Sequence, residues 1–244
     1  MMKAKLNVLK SPEDAVINLA SLFVTLSAQA ISNTGRFSVS LSGGSSPKKL
    51  YELLASDAYK NKVEWAGVYF FFGDERYVPQ DDKDSNYLMA KTALFDPLQI
   101  SSSNIFAVDT SKSPEGAAEA YTEAINKFFG DEAPAFDLIL LGLGDNSHTA
   151  SLFPHTPVLH DESVSVQSLY VEEVKSTRIT FTAPLINEAH HIAFLVYGAG
   201  KAEAVHHILE DARNIEEYPA QLIAPTHGDV IWYLDEAAAA NVSH

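Results

Sequence analysis

The chain has 244 residues, of which 46% are hydrophobic and 20% charged, with a formal charge of -15 at pH 7 and no cysteine. That charge argues against a broad nucleic-acid or anionic-membrane surface, since both need clustered Lys and Arg that 17 basic residues do not easily supply. The missing cysteine removes disulfides, thiolate nucleophiles and zinc–thiolate sites together, and fits a reducing compartment.

The start, MMKAKLNVLKSPEDAV, holds no continuous apolar run of the kind a signal peptide needs. No later stretch reads as approaching the ~20 apolar residues of a membrane span, so the expected location is the cytoplasm. In chain order, apolar runs mark strands at Phe37–Leu41, Val68–Phe72, Phe136–Leu141, Ile192–Tyr197 and Val230–Leu234. Most are continuous rather than alternating, as expected of strands covered on both faces. Between them, apolar residues at three- and four-residue spacing predict helices over Pro47–Ala55, Pro114–Phe129 and Lys201–Leu209. Strand alternating with helix predicts a three-layer α/β/α fold, with a mostly parallel, Rossmann-like sheet and helices on both faces. No repeat and no interdomain linker interrupts it, so residues 1–244 read as one domain.

The loops after the predicted strands are more informative. The first strand leads into SGGSSP, the second into GDER, the third into GLGDNSH, and the fourth into GAGK. In a parallel sheet these carboxyl ends share one edge, where open α/β proteins hold ligands. Ser42, Gly43, Gly44, Ser45 and Ser46 offer close backbone approach, hydroxyls and a helix start, which together suit a phosphate or carboxylate. A plain strand-to-helix turn would read much the same. Arg76 offers forked donors for phosphate and Asp74 an acceptor for sugar hydroxyls, although Arg76 could equally pair with a neighbouring acid. Ser85 and Asn86 either cap a helix or close the site. Asp145 to Ser147 are read as a helix cap, with His148 in the helix's first turn, where an imidazole suits general-base work at neutral pH. Arg178 and Lys201 are either solvated surface charges or further phosphate cations.

The other histidines form no metal motif: His155 and His160 lie five apart, and His190-His191 and His206-His207 are adjacent pairs whose side chains diverge. No G-x-S-x-G elbow supports a serine nucleophile.

Taken together, SGGSSP, GDERYVP, DSNY, FDLILLGLGDNSHTASLFP, RITFTAPLIN, GAGKAEAV and DVIWYLDEAA resemble the 6-phosphogluconolactonases. These belong to a superfamily that also includes glucosamine-6-phosphate deaminases. The likeness runs over nearly the whole chain, and HTASLFP with GDERYVP points to the lactonase branch. Deaminases typically carry an apolar-Phe-Asn-Glu-Pro run where this chain has Thr149 to Pro154. The resemblance implies hydrolysis of 6-phosphogluconolactone to 6-phosphogluconate, without metal or organic cofactor. The implied partner is a small phosphorylated sugar lactone, met by a monomer or weak homo-oligomer that binds neither nucleic acid nor membrane. It also implies His148 as base, Asp74 and Arg76 as substrate-facing groups with catalytic roles, Ser42 to Ser46 as the phosphate loop, and Arg178 and Lys201 as further phosphate cations. Asn146 is expected beside the substrate.

The chain departs from that pattern where the family usually reads Asp-Gly-His and it reads Asn146-Ser147-His148, and at His155, where glycine commonly follows SLFP. Asn146 changes how the imidazole is oriented or its cation stabilised, and Ser147 replaces glycine in a turn expected to need positive φ. Two other readings stand beside the lactonase: an amino-sugar-phosphate deaminase or isomerase on the same scaffold, and a non-catalytic sugar-phosphate-binding protein.

Overall fold

Alternate side chains of the central strands pack into two separate cores. In β2 (Phe37–Leu41), Phe37, Val39 and Leu41 face one core; in β3 (Val68–Phe72), Val68, Phe70 and Phe72 face the same side while Phe71 faces the other. The computed structural model describes residues 4–243. The chain begins with β1 (Ala4–Leu9) and α1 (Pro12–Thr34), and α2 (Ser45–Leu54) joins β2 to β3. Next come β4 (Asp74–Arg76), α3 (Asn86–Ala90), a π-helical turn at Lys91–Phe95, α4 (Asp96–Leu98), α5 (Pro114–Phe129) and β5 (Leu138–Leu141). The remainder is β6 (Val166–Val171), β7 (Ser176–Phe181), α6 (Ala183–Asn187), β8 (His191–Val196), α7 (Ala202–Leu209) and β9 (Asp229–Asp235).

The six-stranded sheet has the order β1-β9-β8-β5-β2-β3, with every pair parallel. Helices α1 and α2 lie over one face, α5, α6 and α7 over the other, and the three-layer α/β/α fold expected from the sequence is present. From β2 the chain steps outward to β3 in one direction, whereas β5, β8 and β9 run in the other. Strand order therefore reverses between β2 and β5, opening a crevice beyond their carboxyl ends.

Element boundaries differ from the expectation for local reasons. The run at Phe136–Leu141 becomes a strand only from Leu138, because the Asp137 carboxylate takes both the backbone N–H and the hydroxyl of Ser38 (2.7 Å each) in place of a ladder bond. Helix α1 is not among the expected elements, though Ser11 caps it, Pro12 opens it and Gly35 closes it at φ 77°. By length and composition it could cross a membrane, which corrects the expectation that no stretch approaches a span. Here it is a core helix: Ala15, Leu19, Ala20 and Phe23 are fully buried.

A second, three-stranded antiparallel sheet, β4-β7-β6, is also additional to the expected elements. Strand β4 has only three residues, and β6 and β7 mix polar with apolar positions. Its register sets Arg76 directly opposite Arg178.

Candidate active site

A cavity of about 290 Å³ lies in the crevice beyond β2 and β5. Ser42, Gly43, Gly44, Ser45, Ser46, Asp74, Arg76, His148 and Lys201 line it together, so the loops after β2, β3, β5 and β8 converge as expected. Asn146 and Arg178 stand outside the lining. Among the described residues, no three His, Asp or Glu side chains gather as a metal-ligating group.

Ser42 has both its backbone groups tied down, its N–H donating to the Tyr51 hydroxyl (3.0 Å) and its C=O accepting from it (2.8 Å). Gly43 must be glycine, since a Cβ there would come within 2.1 Å of Asn86 Oδ1. Helix α2 then starts at the cavity with Gly44 at its N-cap and no side chain satisfying its first N–H groups. Helices α1, α3, α5 and α6 are instead capped by Ser11, Ser85, Ser113 and Thr182. Unsatisfied N–H groups and the positive end of the helix dipole suit an anion at that spot.

Arg76 and Lys201 add cationic charge. Arg76 donates to the Asp84 carbonyl (2.7 Å), and burial together with the Arg76 charge lowers the Arg178 pKa. Lys201 Nζ meets Asp145 Oδ1 at 2.6 Å, but Asp145 is 81% exposed, so this pair is weak and can yield to a phosphate.

Asp74 is only 9% exposed and is already engaged, Oδ2 accepting from the Ser151 hydroxyl (2.7 Å) and Oδ1 from the Asn86 amide (3.2 Å). It ties together three loops, while its charge favours the protonated form of His148. The sequence points Asp74 at sugar hydroxyls, and although Ser151 lies in HTASLFP nothing there pairs it with Asp74, which only the fold brings within reach. Glu75 is visible in GDER, but its role is not. Its carboxylate is 3% exposed and accepts the backbone N–H groups of Arg76 (2.8 Å), Asn86 (2.7 Å) and Tyr87 (2.8 Å). Ser85 caps α3 and Asn86 reaches Asp74, so both roles considered for that pair are filled.

His148 does not sit in a helix. Gly144 N–H donates to the His148 carbonyl (2.8 Å) and Ser147 N–H to the Gly144 carbonyl (3.0 Å), which closes a tight turn instead. Ser147 holds that turn at φ 65° and His155 sits at φ 58°, so both positions where glycine was expected do adopt left-handed backbone. The ring stacks on Phe153, with centroids 4.0 Å apart. A Cβ on Gly144 would lie 2.1 Å from His148 Nδ1, so the absence of a side chain there leaves room for the ring. Burial pushes the His148 pKa down from 6.5 to about 4, against the opposing pull of Asp74 and Glu173.

Asn146, expected beside the substrate, lies behind the ring. Its Oδ1 is 2.5 Å from His148 Nδ1, and its Nδ2 donates to Glu173 Oε2 (2.8 Å) and Oε1 (2.9 Å). Glu173 lies 27 residues further on, in a turn between β6 and β7, and no motif or spacing marks it.

The family model described as glucosamine-6-phosphate isomerases/6-phosphogluconolactonase matches residues 10–232. A 6-phosphogluconolactonase of Nostoc sp. is 40% identical, over 99% of this chain and 100% of its own length. One of Synechocystis sp. is 41% identical, covering 99% of each chain. The solved 6-phosphogluconolactonase of Trypanosoma cruzi superposes with a TM-score of 0.88 at 30% identity, over 100% of this chain and 98% of that one. The chain therefore belongs to the glucosamine-6-phosphate isomerase/6-phosphogluconolactonase family.

Proposed function

We propose that the chain hydrolyses 6-phospho-D-glucono-1,5-lactone to 6-phospho-D-gluconate, with His148 as general base. The observation that carries this reading is one cavity lined both by His148 and by the uncapped start of α2 with Arg76 and Lys201. The lactonases of similar sequence support the same activity.

In this reading the phosphate lies against the N–H groups of α2, between Arg76 and Lys201, and its binding orients the lactone against His148. Neutral His148 takes a proton from water through Nε2 as the water oxygen bonds to the lactone carbonyl carbon. The tetrahedral oxyanion then collapses, the bond from that carbon to the ring oxygen breaks, and His148 returns the proton to the departing oxygen. Asp74 favours the transient imidazolium by charge. Arg178, held opposite Arg76, strengthens the positive field without lining the cavity. The partner is a small phosphorylated lactone, met in the cytoplasm by a monomer or weak homo-oligomer.

The test is a lactonase assay on freshly made 6-phosphogluconolactone, corrected for spontaneous ring opening. His148→Ala should lower turnover at least ~10²-fold. An unchanged kcat removes His148 from the mechanism, and phosphosugar binding without any rate above background favours a binding protein.

A further inference from the structure

The contacts behind His148 carry direction as well as distance. An amide oxygen only accepts, an amide NH2 only donates, and an ionised carboxylate only accepts. Asn146 Oδ1 faces two groups of His148, the ring Nδ1 at 2.5 Å and the backbone N–H at 3.3 Å. Its Nδ2 faces both oxygens of Glu173. Turning the amide over would set NH2 against the backbone N–H and carbonyl oxygen against carboxylate, a mismatch at both ends. With the amide so fixed, the neutral ring must carry its proton on Nδ1, and the lone pair falls on Nε2.

From this chain of contacts we infer that Glu173 is a positioning residue. It acts through Asn146 to hold His148 in the Nδ1–H tautomer, so that Nε2 is the basic atom. The inference rests on the proposed lactonase reaction only for its kinetic consequence. The tautomer itself is a property of the resting protein. Glu173 touches neither the cavity nor the ring, and its carboxylate polarises the Asn146 amide in the sense that favours positive charge on the imidazole.

Glu173 is exposed, so its replacement should leave the fold intact, which a thermal melt checks. Two readouts test the inference. Nitrogen-15 NMR of the imidazole at neutral pH should show Nδ1–H alone in the wild type and a mixture of tautomers in Glu173→Ala. The kcat of Glu173→Ala should fall about 10-fold with KM nearly unchanged, and Glu173→Gln, which keeps an acceptor, should recover part of the loss. In an Asn146→Asp background the sign should reverse. A carboxylate at position 146 accepts Nδ1–H whichever way it turns and is repelled by Glu173, so adding Glu173→Gln should raise activity there.

An unchanged tautomer and kcat in Glu173→Ala, or the same loss in both backgrounds, overturns the inference. Absence of any lactonase rate in the wild type overturns the proposed reaction instead, and the tautomer measurement then still decides the role of Glu173.

Discussion

A general base must be neutral at working pH with its accepting nitrogen aimed at the reaction, and it is a stronger base the closer its pKa lies to that pH. His148 meets the first condition through burial against Phe153 and the Gly144 turn, which lowers its pKa to about 4. Asp74 from β4 and Glu173 from the β6–β7 connection pull the other way, while Lys201 at the start of α7 and Arg178 on β7 add to the depression. An NMR titration of His148 should therefore find its midpoint near 4, and a midpoint near the ordinary 6.5 would show the ring to be solvated. The same depression fixes the sign for stability. Between pH 6.5 and 4 the unfolded ring binds a proton that the folded ring refuses, so this group's contribution is complete above 6.5 and shrinks as pH falls through that window. The imidazole itself is legible in the sequence because GLGDNSH comes directly after a buried strand. Glu173 and Ser151 are not, since a partner set by tertiary packing leaves no spacing to read.

Among the elements, α2 and α3 start near the same crevice with opposite treatments. Helix α2 leaves its first N–H groups free for ligand, whereas α3 is closed by Ser85 and by the buried Glu75 carboxylate reaching over from β4. Burial raises the Glu75 pKa, and the backbone N–H groups of Asn86, Tyr87 and Arg76 oppose that rise by stabilising the anion. Glu75 thus fastens the strand that carries Asp74 and Arg76 to the loop that carries Asn86. Glu75→Ala leaves three buried or half-buried N–H groups without their acceptor and should cost about 3 kcal/mol. Its Tm should drop by roughly 10 °C and its KM should rise as Arg76 loosens. A loss under about 1 kcal/mol would show that water replaces the carboxylate without penalty. The small sheet behind this arrangement escapes a reading of the sequence because three residues of β4 give no periodicity.

For the molecule as a whole, β3, β5, β8 and β9 are legible because their residues are apolar on both faces, β2 because three apolar residues alternate with its two serines, and α5 from its stripe. The edge strand β1 is not among the expected strands because its mixed polar and apolar residues are half-buried or exposed. Helix α1 is hidden by the opposite excess: its apolar residues extend beyond the buried stripe, so periodicity is blurred and composition alone suggests a membrane span. Packing distinguishes the two readings. Phe23 is fully buried and meets Phe37 edge-on at 5.3 Å, whereas Ile17, on the same helix, is 45% exposed. A core helix is sensitive on one face only. Phe23→Ala should therefore cost roughly 3–5 kcal/mol and more than 5 °C in Tm, while Ile17→Ser should stay within about 0.5 kcal/mol of the parent. Both proteins should remain in the lower fraction when floated with phosphatidylcholine vesicles. Equal sensitivity at the two positions, or co-flotation of the parent, would mean that α1 leaves the sheet to enter lipid, and with it the strand order that opens the crevice over β2 and β5.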